Sequence, residues 1–175
     1  MRIIAGRWRG HPLRSVKGSK VRPTTDRVRE AWMAALGPGV EGVRVVDLFA
    51  GSGALGLEAL SRGASEVVFV ERARASLAAI RANIRRLKAE EECRVVQGDV
   101  FSFLRREPAG SFDLALADPP YDRGLAQKLM ELFIEMEFAR ELWVEHRSAE
   151  ELPPLPGLLQ REYGDTTLSI LARNE

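Results

Sequence analysis

The stretch Val43–Gly63, VRVVDLFAGSGALGLEALSRG, constrains this chain more than any other. Val43, Val45, Val46 and Leu48 form a short β-branched apolar run of the kind that sits inside a parallel sheet. Asp47 lies at the end of that run, and Gly51, Ser52 and Gly53 supply a turn. A helix follows through Ala54, Leu55, Leu57, Ala59 and Leu60, and it stops near Gly63. Glycines let the backbone approach a ligand, and the free N–H groups of the helix start face it.

Gly51, Gly53 and Gly56 also satisfy G-x-G-x-x-G, the pattern of dinucleotide-binding loops, although a plain tight turn gives the same letters. Two neighbours add information. Glu71 closes the next strand, Glu66 to Val70, 20 residues after Gly51, where a carboxylate can accept both hydroxyls of an adenosine ribose. Asp47 puts an anion where a nicotinamide site would receive pyrophosphate. An anion there suits a ligand with a cationic amine and no phosphates, which is the chemistry of S-adenosylmethionine. The segment Asp47-Leu48-Phe49-Ala50-Gly51-Ser52-Gly53 has the form D-x-F-x-G-x-G and resembles the first motif of the Rossmann-like methyltransferases. Asp47, Phe49, Gly51, Gly53 and Glu71 are the expected cofactor contacts.

The 175 residues make one ordinary domain with room for a full core, and 45% apolar against 29% charged residues fits a globular protein. No apolar run is long enough to span a bilayer, and the N-terminus lacks a signal-peptide core, so a cytoplasmic protein is expected. The single cysteine, Cys93, precedes an apolar strand and reads as a core residue. One cysteine and two separated histidines form no recognisable zinc site, and no metal is expected. Charge is unevenly spread. Residues 1–30 carry nine Lys and Arg against Asp26 and Glu30, a net of +7, while the rest of the chain carries −6. A basic arm on a mildly acidic body suits a polyanion, nucleic acid first, although a solvated arm would look the same.

In chain order, residues 2–5 and 12–16 read as two strands of a hairpin around Gly6-Arg7-Trp8-Arg9-Gly10-His11. Trp8 between two arginines suits a base stack flanked by phosphate contacts, and equally a hydrophobic plug. Lys17-Gly18-Ser19-Lys20 reads as a mobile loop. Arg22-Pro23-Thr24-Thr25-Asp26-Arg27 starts a helix, with Thr24 or Thr25 as cap and Asp26 at its positive end. Thr25 and Arg27 are candidates to close over the cofactor or the RNA. Val28, Trp32, Ala35 and Leu36 share the packed face of that helix, and Gly37-Pro38-Gly39 ends it.

Beyond Glu71, Leu77, Ile80, Ile84 and Leu87 repeat at helical spacing, with an Arg-rich outer face that reads as solvated. Arg94–Gln97 is a third strand, and Asp99 beyond it is placed to accept from an adenine amine or to cap the short helix over residues 100–106. A fourth strand, Ser111–Ala117, delivers Asp118-Pro119-Pro120-Tyr121. An exocyclic base amine is a poor nucleophile because its lone pair is conjugated with the ring. Two fixed acceptors on its two N–H groups free that lone pair. Asp118 supplies a carboxylate oxygen and Pro119 its carbonyl, and successive prolines lock the backbone and remove competing donors. Tyr121 offers a ring to a base taken out of its helix. Leu125, Leu129, Leu132 and Met136 mark a helix, and Leu142–Glu145 a fifth strand. His146 reads as a structural hydrogen-bonder. Leu158–Tyr163 and Thr166–Ala172 form an antiparallel pair across Gly164-Asp165.

Taken together, the chain resembles the bacterial small-subunit rRNA guanine-N2 methyltransferases, the 16S family, nearly end to end. The resemblance rests on RIIAGRWRG at 2–10, RPTTDRVREAW at 22–32, VVDLFAGSGALGLEALSRGA at 45–64, Glu71, DPPY at 118–121 and YGDTTL at 163–168. It implies an α/β, Rossmann-like class I fold with a seven-stranded, mostly parallel sheet whose last strand is antiparallel, plus an N-terminal β-hairpin. Residues 1–38 would be a basic extension and 39–175 the methyltransferase domain. It implies methyl transfer from S-adenosylmethionine to N2 of a guanine in 16S rRNA, on the small subunit or an assembly intermediate. Asp118 and Pro119 would orient the amine, and Tyr121 would stack the guanine. Glu71 would hold the ribose, Asp99 the adenine, and Asp47, Gly51 and Gly53 the methionine end. Arg7, Arg9, Arg22 and Arg27 would meet the RNA. A monomer is expected, although the sequence leaves a dimer open. The residues alone stop at an exocyclic amine on nucleic acid. Adenine N6 satisfies DPPY equally, and a non-catalytic RNA-binding assembly factor is the alternative of another class.

Overall fold

The computed structural model describes residues 1–16 and 26–173. The loop at 17–20 and Arg22, Pro23, Thr24 and Thr25 lie outside the described residues. Seven strands form one sheet: β1 (Arg44–Leu48), β2 (Glu66–Glu71), β3 (Cys93–Gln97), β4 (Phe112–Ala117), β5 (Ala139–Arg147), β6 (Leu159–Tyr163) and β7 (Thr166–Ala172). Among the described residues, five α-helices accompany them: α1 (Asp26–Leu36), α2 (Ala54–Ser61), α3 (Arg74–Leu87), α4 (Val100–Leu104) and α5 (Leu125–Met136). The strand order is β3-β2-β1-β4-β5-β7-β6. Strands β1 to β5 run parallel, and β7 lies antiparallel to both β5 and β6.

The period of two in the strands builds a core on each face. Val45, Val67, Phe69, Leu114 and Leu116 pack on one side with Ile3, Trp32, Leu57 and Ile80. Val46, Leu48, Val68, Val70 and Ala115 pack on the other with Phe101, Leu129 and Phe133. The first face takes the N-terminal arm and α1 to α3; the second takes α4 and α5.

The N-terminal arms meet as a hairpin through the single bridge Arg2↔Pro12 rather than along two full strands. The reason lies in α2. Glu58 is fully buried, and its carboxylate accepts the backbone N–H groups of Ile4 at 2.8 Å and Ala5 at 3.0 Å. Ile3 keeps its ladder bonds to His11 and Gly10, and the Ala5 N–H, next in line for the ladder, is diverted to Glu58. Arg62, one helical turn on, pairs with the same carboxylate at 3.0 Å. Ile3 and Leu13 enter the core, so the hairpin docks on helices instead of extending a sheet.

Three expectations shift at the edges. Strand β5 runs over nine residues, because exposed Arg140 and Glu141 interrupt the apolar signal inside it. Cys93 is half-buried rather than fully in the core, since it opens the edge strand β3. Helix α1 buries Arg29 and Met33 as well as Trp32, and the Arg29 guanidinium donates to the Arg2 carbonyl.

Candidate active site

After β3 the chain crosses back to β4 on the far side of β1. A crevice opens at such a switch point, beyond the carboxyl ends of the strands. The strand register lines up the residues at its rim. Leu48 pairs with Val70 and with Ala117, so Phe49, Glu71 and Asp118 leave the sheet at one level. Ala117 pairs with Val144, which sets Glu145 beside them.

The glycine turn is tightly wound. Phe49, Gly51 and Gly53 all have left-handed backbones, with φ of 58°, 58° and 82°. Phe49 is the costly member, because non-glycine residues rarely adopt that region and do so mainly at functional sites. Its ring packs edge-on against Phe101 at 6.2 Å. A Cβ at Gly56 would sit 2.5 Å from the Phe69 ring, so this glycine permits the close approach of α2 to the sheet. At Gly51, by contrast, no described atom lies within 4 Å of a would-be Cβ. The outer side of the turn is open toward the crevice.

Three carboxylates converge there. Glu71 ties two loops together: one oxygen accepts the Gly51 N–H at 2.9 Å, and the other accepts those of Arg72 and Ala73, each at 2.8 Å. Asp47 is 1% exposed and accepts the Gly56 N–H at 2.9 Å. One of its oxygens is therefore committed to α2, where the sequence suggested a carboxylate given over to a ligand. Burial raises its pKa well above the ordinary value, the Gly56 N–H opposes this, and the nearby charges of Asp118 and Glu71 push it further up. Such a crowd of anions favours a cationic guest. Among the described residues, no group of three or more His, Cys, Asp or Glu side chains is arranged to hold a metal ion. Asp99 is exposed and caps α4 through the Ser102 N–H at 2.9 Å.

Asp118-Pro119-Pro120-Tyr121 follows β4 directly, with Asp118 half-buried and Pro119 buried. The Tyr121 hydroxyl donates to Glu145 at 2.8 Å and lies 3.4 Å from the Thr166 hydroxyl. Burial, chiefly, raises the phenol pKa above its usual value. The Arg147 guanidinium lies over the Tyr121 ring, 5.3 Å from its centroid. His146 is buried and bonds Ser169 at 2.7 Å and the Arg147 carbonyl at 3.0 Å, the structural role expected of it.

Arg7 and Arg9, two of the arginines expected to meet RNA, do not lie at this crevice. Helix α2 starts at the glycine turn and ends at Ser61, near the edge where the strands begin. The Arg7 N–H donates to the Ser61 carbonyl at 2.9 Å, and its guanidinium pairs at 2.6 Å with Glu92, the residue before β3. The turn bearing Arg7, Trp8 and Arg9 therefore sits at the opposite end of the sheet from Asp118. Trp8 is half-buried against the core with the Arg7 guanidinium 3.9 Å above its ring, which are the contacts of a plug. Arg9 is exposed. Arg27 is exposed in the first turn of α1. Thr25 and Arg22 fall outside the described residues.

Asn83 and Glu58 carry much of this arrangement and were not singled out by sequence. Asn83 is 1% exposed; its oxygen accepts the Arg14 N–H at 2.7 Å, and its nitrogen donates to the Arg14 and Ser52 carbonyls, each at 3.0 Å. The available signal was an amide in phase with Ile80 and Leu87 on the apolar side of α3.

Comparison with known proteins fits this picture. Residues 1–172 match the model of the family described as Conserved hypothetical protein 95. The chain belongs to this family. Its relatives include ribosomal RNA small subunit methyltransferase D of Escherichia coli (strain K12), 38% identical over 159 residues, which span 89% of this chain and 79% of that one. A solved hypothetical protein of Thermus thermophilus, TTHA0928, matches with a TM-score of 0.83 at 30% identity over 99% of both chains. The Thermus thermophilus 16S rRNA N2 G1207 methyltransferase RsmC, solved with AdoMet and guanosine, gives a TM-score of 0.71 at 24% identity, over 90% of this chain and 45% of that one. That likeness is one of fold: the seven-stranded sheet is that of the Rossmann-like class I methyltransferases.

Proposed function

We propose that this protein transfers a methyl group from S-adenosylmethionine to the exocyclic N2 amine of a guanine in 16S rRNA, on the small ribosomal subunit or an assembly intermediate. The observation that carries the reading is the placement of Asp118-Pro119-Pro120-Tyr121 at the end of β4, level with the glycine turn and Glu71, in a member of this family. S-adenosylmethionine, when bound, supplies an electrophilic methyl group on a sulfonium cation. The residues fit it: the turn is open at Gly51, and Asp47, Glu71 and Asp118 favour positive charge. Asp47, Phe49, Gly51 and Gly53 would hold the methionine end, with Glu71 at the ribose, Asp99 at the adenine and Thr25 as a further cofactor contact.

Asp118 and the Pro119 carbonyl accept the two N–H groups of the base amine and turn its lone pair out of the ring. The amide nitrogen of Pro120 carries no hydrogen and cannot compete for those acceptors. Tyr121, fixed through its hydroxyl to Glu145, stacks the guanine. Residues 1–38 act as an RNA-facing extension of a methyltransferase body formed by 39–175. The working unit in this reading is a monomer, in the cytoplasm with the ribosomes.

The test is methyl transfer from labelled S-adenosylmethionine to unmodified small subunits, followed by digestion to nucleosides. The expected label is N2-methylguanosine, absent with Asp118→Ala although that variant still binds cofactor. Label in N6-methyladenosine would keep the chemistry and reject the target. Near-wild-type transfer by Asp118→Ala would reject the amine-orienting role.

A further inference from the structure

The outer face of α3 is charged in one sign only. Residues 72–88 contain Arg72, Arg74, Arg81, Arg85, Arg86 and Lys88 and no Asp or Glu. All six cations are exposed, and among the described residues none of them forms an ion pair. The chain's net charge is +1; residues 1–30 hold +7 and residues 72–88 hold +6, which leaves −12 for the rest. At 100° per residue, Arg74, Arg81 and Arg85 fall within a stripe roughly 40° wide and roughly 17 Å long, and Lys88 follows as the left-handed residue that caps the helix. Arg86 points to a neighbouring side, the one on which Asn83 holds Arg14.

Solvation alone does not favour this pattern. Solvated helix faces usually mix signs at i,i+4, whereas Arg81 and Arg85 repel each other at that spacing. Arg72 and Arg74 also stand at the positive end of the helix dipole, where acids are preferred. The other exposed side chains from 72 to 88 are Ala73, Ala75 and Ala78, so the face offers no large apolar anchor of the kind protein interfaces use. It does have the charge of a nucleic-acid interface.

We propose that the outer face of α3 is a track for RNA phosphates, leading from the methyl-transfer edge to the N-terminal turn. This rests on the RNA reading above. The track begins at Arg72, next to Glu71, and ends by the segment where Glu92 holds Arg7. It joins the end of the sheet that bears Glu71 and Asp118 to the end that bears Arg7.

The test uses the full chain with Arg74→Gln, Arg81→Gln and Arg85→Gln combined. Binding to protein-free 16S rRNA and to small subunits is titrated with salt, in S-adenosylhomocysteine so that turnover is not required. At about 0.1 M salt the variant should bind both RNAs ten- to a hundredfold more weakly, and the slope of log K against log salt should fall by roughly two to three. Its melting temperature and S-adenosylhomocysteine affinity should match wild type. Unchanged RNA affinity, or an equal loss in the control Arg105→Gln/Arg140→Gln/Arg161→Gln, overturns the track. Loss on subunits but not on free rRNA assigns the face to a ribosomal protein and also overturns it. Wild-type protein that binds RNA along α3 but forms no N2-methylguanosine refutes the reaction and leaves the track standing.

Discussion

The side-chain amide of Asn83 donates to the carbonyl of Ser52 at 3.0 Å while its oxygen accepts the backbone N–H of Arg14 at 2.7 Å. One buried residue of α3 thus joins the glycine turn to the N-terminal arm. Asn83→Ala should remove about 2–3 kcal/mol of stability, because three backbone groups lose a partner. It should also weaken S-adenosylmethionine binding several-fold by loosening the turn. Urea unfolding and calorimetric titration read the two effects, and wild-type values in both would show that the bridge is incidental.

Asp47 makes stability depend on pH in a predictable direction. Its folded pKa is raised, chiefly by burial, so the native state holds this proton more tightly than the unfolded chain does. The contribution is full below about pH 3.9, the unfolded value, and is lost as pH rises through the raised folded value. Asp47→Asn keeps an acceptor for the Gly56 N–H and cannot ionise. The variant should gain stability relative to wild type as pH rises from about 4 toward neutrality, and lose affinity for the cationic cofactor. A stability difference that stays flat across urea titrations from pH 4 to 8 would contradict the assignment.

Tyr121 separates its ring from its hydroxyl. Tyr121→Phe should cost about 1 kcal/mol of stability, from the lost bond to Glu145, and leave kcat/KM within a few-fold. Tyr121→Ala should lower kcat/KM by roughly tenfold to a hundredfold, matching a base stack of about 1–3 kcal/mol. If both variants fall equally, the hydroxyl and not the ring is what the substrate needs.

Gly6 and Gly10 form a matched pair. Both are left-handed, with φ of 86° and 83°, but a Cβ at Gly6 would lie 1.9 Å from the Ser61 carbonyl oxygen, while none of the described atoms is within 4 Å at Gly10. Gly10→Ala should cost about 1 kcal/mol from backbone strain alone. Gly6→Ala should cost about 2 kcal/mol or more and pull the turn off α2. Hydrogen exchange at Arg7 and Trp8 distinguishes them: it should rise sharply only in Gly6→Ala.

The elements that sequence revealed are those whose burial repeats along the chain. Val43–Leu48 shows its apolar run, α3 shows Leu77, Ile80, Ile84 and Leu87 at helical spacing, and DPPY is a local device that needs no distant partner to be noticed. The remainder depends on long-range docking. Nothing local says that Glu58 will take the N–H groups of Ile4 and Ala5, which shortens the hairpin. Nor does the sequence state that Arg7 faces Glu92, since the direction of α2 and the docking of the arm decide which end of the sheet it reaches. The Asp47 carboxylate was legible as an anion near the turn; its bond to Gly56 required knowing how closely α2 approaches the sheet.

Glu71 holds Gly51 on one side and Arg72 and Ala73 on the other through the chain's own N–H groups. The disorder of two loops is therefore removed when the chain folds, and little is left to remove on association. Cofactor capture should then proceed in a single kinetic phase, at a rate set by diffusion and charge. Any slow step would belong to the RNA.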